Sequence, residues 1–391
     1  MSRPDVALIA PYPRVGSRHE GASGVASYSA NLAHALSGAG AAVTVLAPEE
    51  AGEPEQSVDG PVQVQRAYGR GATAVWDATA AAARTGAPVV HLQHELFLYG
   101  GPTSVPGLLP ALARLRRRAA RTVVTMHQVV DPAAVDSAFV RQHRVSVPAP
   151  VARAGLGTVQ TTLRRLADDV LVHEPSFADV IPGAHVVPHG LEQVQPRPRA
   201  QARTRLGLDR DAFVALAFGF IAPYKGLEPA LEAARHLGDD VELVVAGGPH
   251  PRLAADGDDY ADALRRRHEA HARFTGFVPD EHVHDWFDAA DVALLLYPQP
   301  FSSSGALALA LAHGTPVLLS PALFASILAP PHCAEHCSVP AEADAVAARL
   351  AVLRRDRSAL DTLRDCARQI GRDRSWPHVA RRHLEIYGAA A

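Results

Sequence analysis

Short apolar runs alternate with longer segments of helical period along the chain. The runs are rich in Val, Ile and Leu, as at residues 6–10, 43–47 and 89–93. Between them, segments such as residues 26–37 repeat their apolar positions every three to four residues. Buried parallel strands have continuous apolar sequences, and a crossover helix joins each strand to the next. The pattern predicts an α/β fold with doubly wound sheets.

The alternation breaks once and then restarts. Residues 193–203, QVQPRPRAQAR, contain two prolines and no apolar period, which is typical of a linker. Strand-like runs resume at residues 213–218, and further runs follow to residue 319. The ligands of doubly wound sheets bind beyond the carboxyl ends of the strands, so a cleft between two domains is the expected site. The predicted segments are a first domain at 1–192, a linker at 193–203, a second domain at 204–372 and a closing segment at 373–391.

Composition narrows the class of protein. The 391 residues carry 38 basic and 41 acidic side chains, and this balance argues against a dedicated nucleic-acid-binding protein. No window provides the roughly 20 uninterrupted apolar residues of a membrane span. The first residues enter a strand-like run without the apolar core of a signal peptide, and the three cysteines suit a reducing compartment without a disulfide framework. We therefore expect a cytoplasmic protein.

Lys225 is the sole lysine among the 38 basic residues. The bias toward arginine is typical of a GC-rich bacterial genome. Since arginine serves well as a surface cation, the retained lysine indicates a site that needs a compact ammonium. It lies in AFGFIAPYKG, between a predicted strand and a helix whose N-terminus adds positive potential. This position predicts binding of a phosphate or pyrophosphate.

Two other loops precede predicted helices with small polar residues. Three serines and a glycine before an Ala/Leu-rich helix would form a second anion site, although an ordinary N-cap needs only one serine. In the first loop, Ser23 and Gly24 begin a helix and could bind an anion or a sugar hydroxyl, or simply connect strand and helix. The residues before the Ala/Leu-rich helix are Ser302, Ser303, Ser304 and Gly305.

Polar residues follow the ends of neighbouring strands in the first domain. His94 and Glu95 come after the run at 89–93, and His127 and His173 end the next two strands. A neutral histidine there can bind a hydroxyl or move a proton. In a chain with 20 histidines, a structural role is the alternative. Their shared edge of the sheet favours a binding site.

Two further clusters are weaker indications. His332, Cys333, His336 and Cys337 resemble zinc ligands, but they lie within six residues and no second ligand cluster exists, so a zinc site is not expected. The basic run within residues 114–121 is typical of a solvated helix face, and it would also fit an anionic membrane surface or acceptor.

Taken in order, seven motifs resemble those of the family 4 retaining glycosyltransferases of GT-B fold, and the resemblance extends over essentially the whole chain. It implies two Rossmann-like domains that face each other across a cleft, with a nucleotide-diphosphate sugar held mainly by the second and an acceptor by the first. It also implies that the closing helix returns to the first domain. The motifs are APYP…SGVASYSANLAHAL, VVHLQHE, VPHGLE, FGFIAPYKGLE, FTGFVPDEHV, SSSGALALALAHGTPV and SW…HLEIY.

The resemblance assigns roles to individual residues. Lys225 matches the family lysine on the donor phosphates, and His94 matches the histidine that lines the sugar and acceptor site. Gly24 matches the glycine of the loop that closes under the diphosphate. Phe277 and Val278 match the segment whose backbone brackets the nucleobase. The family needs no metal or further cofactor, because helix dipoles and cations stabilise the departing diphosphate.

The chain also departs from the family pattern. Phe220 or Ala222 stands where the family has an arginine ahead of the lysine. Phe301 and Leu309 stand where it has two glutamates eight residues apart. These departures leave open how the ribose hydroxyls are bound and which donor is used.

We predict a retaining, metal-independent hexosyltransferase that uses a nucleotide-diphosphate sugar, with UDP and GDP favoured. The acceptor is a hydroxyl of a specialised metabolite, a cyclitol or a glycan. The alternatives are a pseudo-glycosyltransferase with an unusual activated donor and a catalytically silent partner protein that binds nucleotide sugar. The predicted catalytic residues are His94 and Lys225; the donor residues are Gly24, Lys225, Phe277, Val278, Ser302, Ser303, Ser304 and Gly305; the acceptor residues are Ser23, His94, Glu95 and His127.

Overall fold

Two parallel sheets with helices on both faces form the protein. The computed structural model describes residues 3–17, 24–96, 98–100, 104–117, 121–142, 145–192, 194–238, 240–255, 257–300 and 302–388. Within these residues, one sheet has eight strands and the other has five. The doubly wound α/β architecture predicted from the sequence is confirmed.

The first sheet has the order β3-β4-β2-β1-β5-β6-β7-β8, and only β3 runs antiparallel to its neighbour. Val6 of β1 pairs with Val43 on one side and Val89 on the other, so buried valines line the centre of the sheet. The strands are β1 Val6–Ile9, β2 Val43–Pro48, β3 Gln56–Asp59, β4 Val62–Tyr68, β5 Val89–His94, β6 Arg121–Met126, β7 Asp169–Val172 and β8 His185–Val186. The helices around it are α1 Gly24–Gly38, α2 Ala74–Thr85, α3 Val105–Arg116, α4 Ser137–Gln142, α5 Ala149–Leu166 and α6 Pro175–Val180.

The second sheet is parallel throughout, with the order β11-β10-β9-β12-β13. Its helices are α7 Arg199–Leu206, α8 Glu228–Ala234, α9 Pro251–Ala255, α10 Tyr260–His268, α11 Asp280–Ala289, α12 Gly305–His313, α13 Pro321–Ser326, α14 Ala334–Cys337, α15 Ala343–Arg355 and α16 Arg357–Gly371. Its strands are β9 Phe213–Phe218, β10 Val241–Ala246, β11 Arg273–Gly276, β12 Val292–Leu295 and β13 Val317–Leu319. A last helix, α17, spans Trp376–Tyr387.

One hairpin and one helix differ from what the sequence predicted. Strands β3 and β4 form a hairpin that the search for continuous apolar runs missed, because β4 alternates buried and half-buried residues with period two. Helix α7 begins within residues 193–203, which were expected to be a linker without regular structure. Its Arg203 is buried, and the guanidinium donates to Asp291 Oδ2 at 2.7 Å and to the carbonyl of Ala289, which fixes the helix on the second domain.

Helix α17 packs against the first domain, as expected. Trp376, Ile386 and Tyr387 are buried in the same core as β1 and β2. The Trp376 indole lies 5.2 Å from the Tyr28 ring of α1. Where the chain crosses back, Leu191 N donates to Arg374 O at 2.6 Å, so the two connections between the domains run side by side.

Gly190 lies under the Trp376 indole, and a Cβ at this position would lie 2.4 Å from an indole carbon. Gly190→Ala is therefore expected to displace α17 and lower the free energy of unfolding by about 3 kcal/mol, the upper range for overpacking. Urea denaturation measures this loss. Gly155→Ala is the matched control, because Gly155 lies on the exposed face of α5 with nothing near its Cβ position. A gain in stability for Gly155→Ala with no loss for Gly190→Ala would contradict the expectation.

Cys333 and Cys366 form a disulfide, contrary to the expectation that none is present. They are 33 residues apart in sequence, but packing of α16 on α14 brings their Cα atoms to 5.6 Å. Cys337 is buried and unbonded, and burial raises the pKa of its thiol to about 12. Among the described helices, none combines the length and apolarity needed to cross a bilayer.

Candidate functional site

The carboxyl edge of the second sheet has a floor of closely packed backbone. After β9 the chain passes directly over the loop that follows β10, and Ile221 N donates to Gly248 O at 2.9 Å. A Cβ on Gly247 would lie 2.0 Å from Gly219 O, so only glycine allows this crossing. The floor places backbone groups rather than side chains beneath the cleft.

Lys225 lies at one side of this floor, in the 3-10 turn Pro223–Lys225 that precedes α8. Its ammonium donates to Tyr297 Oη at 2.9 Å and lies 4.5 Å from the centre of the Tyr297 ring. Although burial alone would lower the pKa of Lys225, the phenols of Tyr297 and Tyr224 outweigh that effect and raise it. The lysine is therefore charged at neutral pH.

Tyr297 joins this lysine to the serine loop. Its Oη lies 2.9 Å from Ser304 Oγ, and Ser304 is the N-cap of α12, accepting from Leu307 N at 3.2 Å. The two motifs that the sequence indicated separately are thus connected through one buried phenol. Sequence reasoning missed Tyr297 because a tyrosine at the end of an apolar run is usually a core residue.

The other residues of the serine loop face the first domain or open space. Ser302 forms a backbone bridge with Gln128, and Ser303 Oγ donates to Glu174 Oε1 at 3.3 Å. Gly305 is the first residue of α12, and nothing lies within 4 Å of its Cβ position.

Phe277 and Val278 lie beyond β11. The backbone N of Phe277 is 3.3 Å from a Cβ placed on Gly248, so this segment lies beside the closely packed backbone at the carboxyl edge of the second sheet. The Phe277 side chain is 73% exposed, whereas Val278 is buried in the core. Their expected role beside a nucleobase stays a prediction.

On the first domain, His94 ends β5 and Glu95 follows it. Burial lowers the pKa of His94 to about 4, so the ring is neutral, and its Nδ1 has no hydrogen-bond partner among the described residues. Burial raises the pKa of Glu95 to about 7, and its Oε1 accepts from Gln128 Nε2 at 2.8 Å. The unpaired Nδ1 of His94 is buried, and the role of both residues toward an acceptor stays a prediction.

His127 was expected to contact an acceptor, but both of its ring nitrogens are engaged inside the domain. Its Nε2 lies 2.8 Å from Gln93 Oε1, and its Nδ1 lies 3.2 Å from His173 Nε2. The chain of polar groups continues from Gln93 to His91, whose Nδ1 lies 2.6 Å from Tyr387 Oη on α17. The ring has no nitrogen left for an acceptor because the strand ends bring these side chains together.

The start of α1 is only partly described. Gly24 is the first residue of the helix, and its Cβ position has open space around it. Ser23, predicted to contact the acceptor, lies outside the described residues.

Glu174, which sequence reasoning did not select, links the two domains. It follows His173 at the end of β7 and is 3% exposed. Its carboxylate accepts from Ser303 and has Oε2 3.7 Å from Arg374 Nη2, while burial raises its pKa. With the Gln128–Ser302 bridge, this contact holds the serine loop against the first domain.

Known proteins resemble the chain in sequence and in structure. Residues 198–370 match the family described as glycosyl transferases group 1. A D-inositol 3-phosphate glycosyltransferase of Streptomyces coelicolor is 30% identical over 247 residues, which are 61% of this chain and 50% of that relative. The same-named protein of Geodermatophilus obscurus is 39% identical over 156 residues, 34% of this chain and 32% of the relative. The chain thus spans at most about half the length of these relatives.

Solved structures match the whole chain. Sucrose-phosphate synthase from Thermosynechococcus elongatus has a TM-score of 0.74 at 20% identity and covers 99% of this chain and 98% of its own. Anabaena HepE in complex with UDP and glucose has a TM-score of 0.68 at 14% identity, covering 99% and 100%. These likenesses confirm the fold that the resemblance in the sequence implied. The chain has the GT-B fold, and its residues 198–370 match the family described as glycosyl transferases group 1.

Proposed function

We propose that the protein is a retaining glycosyltransferase that moves a hexosyl unit from a nucleotide-diphosphate sugar to an acceptor hydroxyl. The observation that carries the proposal is the joined set of Lys225, Tyr297 and Ser304 at the carboxyl edge of the second sheet. It combines an ammonium with the N-cap of a nine-residue helix, the arrangement that binds phosphate oxygens. The family match of residues 198–370 contains all three residues.

The acceptor lies on the side of the first domain. His94 has a neutral ring, and Glu95 has a carboxyl that is half protonated near neutral pH. Such groups orient hydroxyls without adding a fixed charge. The relatives named as D-inositol 3-phosphate glycosyltransferases support a cyclitol or sugar acceptor, and the neighbour solved with UDP and glucose supports a UDP-linked donor.

In the proposed reaction, the bond between the anomeric carbon and the diphosphate breaks as the acceptor oxygen attaches to the same face of the sugar. The leaving phosphate oxygen takes the acceptor proton. Lys225 and the hydroxyl of Ser304 stabilise the charge that develops on the diphosphate. The side chains need no metal ion or further cofactor for these steps.

Nucleotide binding tests the proposal directly. We expect one of UDP, GDP, dTDP and ADP to raise the Tm of the purified protein, because a ligand at one hundred times its Kd stabilises the fold by about 2.7 kcal/mol. Differential scanning fluorimetry and calorimetry measure this. At the same nucleotide concentration, the shift should be clearly smaller in Lys225→Ala. If no nucleotide binds, the proposed function is wrong.

If a nucleotide binds, the residues that differ from the family pattern still leave three functions to distinguish. Phe220 is 43% exposed and Ala222 is fully buried, so Phe220 is the residue that takes the place of the family arginine at the cleft. Leu309 packs on the second core instead of offering a carboxylate. Donor binding followed by hydrolysis or transfer of a hexosyl donor supports the enzyme. Binding with neither reaction would favour the silent partner, and turnover of only an unusual donor would favour the pseudo-glycosyltransferase.

A further inference from the structure

Tyr297 occupies a buried position between the two groups proposed to bind the diphosphate. It follows β12, and its side chain is 7% exposed. The phenol oxygen contacts Lys225 Nζ and Ser304 Oγ, each at 2.9 Å. Its backbone is held as well, since Ser320 Oγ donates to Tyr297 O at 2.5 Å.

The protons of this chain of groups can be assigned from chemistry. An ammonium only donates, so Lys225 donates to the Tyr297 oxygen. The contact between Tyr297 Oη and Ser304 Oγ permits donation in either direction; in the arrangement that serves an anion, the phenol proton is directed to Ser304 Oγ, which also accepts from Leu307 N. With its oxygen accepting twice, Ser304 has its own hydroxyl proton left to donate to a ligand. Lys225 retains two further N–H groups, so both ends of the chain can donate to the same anion.

The site depends on this arrangement because it has a single lysine and lacks the family arginine. A lysine side chain has about 2 kcal/mol of rotamer entropy, and a displacement of about 1 Å can reduce a rate by about a hundredfold. The phenol restrains the ammonium with a hydrogen bond, and its ring adds a cation–π contact. The Phe220 ring, which stands in place of the family arginine, lies 5.5 Å from the His250 ring.

We infer that Tyr297 is a positioning residue that holds the Lys225 ammonium and the Ser304 hydroxyl together, so that both donate to the diphosphate of a nucleotide donor. The inference rests on the proposed function for its ligand. The contact between Tyr297 and Lys225 can be tested without that ligand.

Tyr297→Phe removes the hydroxyl and keeps the ring. We expect it to weaken UDP or GDP binding about tenfold in the native protein, and by less than twofold when Lys225→Ala is already present. Calorimetry on the four proteins of this double-mutant cycle measures the coupling. A structural defect would act equally in both backgrounds, and that result would overturn the inference. Tyr260→Phe is the matched control, since its phenol donates to Glu228 in the same domain and does not touch Lys225 or Ser304.

A second measurement needs no nucleotide. Because Lys225 is the sole lysine, mass spectrometry after brief acylation reports only its amine and the chain terminus. The Tyr297 phenol raises the pKa of Lys225, so its loss should increase the free-amine fraction and accelerate acylation several-fold, with no change in Tyr260→Phe. An unchanged rate in Tyr297→Phe would refute the positioning role. If acylation is faster but no nucleotide binds, the result supports the coupling of Tyr297 to Lys225. The same result rejects the proposed function.

Discussion

Lys225→Ala is expected to lower kcat/KM for sugar transfer by a factor of about 10² to 10³, which corresponds to about 3 to 4 kcal/mol of transition-state stabilisation. The reason is that the donor site has one lysine, held by Tyr297, and Phe220 supplies no second cation. Charge accumulates on the diphosphate as the sugar leaves, so losing the ammonium should reduce kcat more than it raises KM. Steady-state kinetics with the donor identified by the nucleotide screen measure both constants.

Two controls separate charge from packing in that experiment. Lys225→Met keeps most of the side-chain volume and should lose as much activity as the alanine variant. Lys225→Arg retains the charge, but its planar group does not match the single phenol partner, so partial activity is expected. A native rate in Lys225→Ala would remove the lysine from the transition state.

The second large expected effect is a loss of folding stability at acidic pH. Burial lowers the pKa values of His94 and His383 to about 4 and that of His173 to about 3, and it lowers those of His91 and His127 well below the usual range. Between these values and the unfolded pKa near 6.5, the unfolded chain binds more protons than the folded one. Stability is therefore complete above pH 6.5 and is lost as the pH falls toward 4.

The expected net loss between pH 6.5 and pH 5 is on the order of 5 kcal/mol, because each of the five histidines contributes up to about 1.36 kcal/mol per pH unit and two buried carboxyls offset part of the sum. Glu95 and Glu174 act in the opposite direction, because their raised pKa values favour the folded state on acidification. Five histidines outweigh two carboxyls. Urea denaturation at several pH values gives the slope.

Variants of single histidines test the assignment. His383→Gln should reduce the slope by about one proton, because the ring is fully buried with Nε2 unpaired among the described residues. His332→Gln is the matched control, since His332 is exposed. Stability that is constant from pH 7 to pH 5 would mean that these rings are not buried in the neutral form.

The sequence predicted the elements whose pattern is local. Strands β9, β10, β12 and β13 were expected from apolar runs, because a buried parallel strand needs no alternation. The hairpin of β3 and β4 was missed although β4 alternates clearly, since the search followed continuous runs. Helix α7 could not be separated from a linker, as its stability comes from Arg203 reaching Asp291, a contact across 88 residues.

The site was predictable where a residue stood out by type. Lys225 did so as the sole lysine, and Ser304 as a helix N-cap. Tyr297 and Glu174 could not be chosen in this way, because their roles depend on neighbours that are distant in sequence. For His127 the sequence suggested a role that the structure does not support. Its position at a strand end indicated contact with a ligand, but both ring nitrogens contact other side chains of the domain.

The packing of α17 has a consequence for synthesis on the ribosome. The core between β1, β2 and α1 contains Trp376, Ile386 and Tyr387, which are translated roughly 190 residues after β8. At about 5 to 20 residues per second, the first domain waits roughly 10 to 40 seconds for these side chains. During that interval its apolar face is uncovered, while the second domain emerges and can fold around its own core. The nascent first domain is therefore the part of the chain that a chaperone would need to protect until translation has passed residue 387.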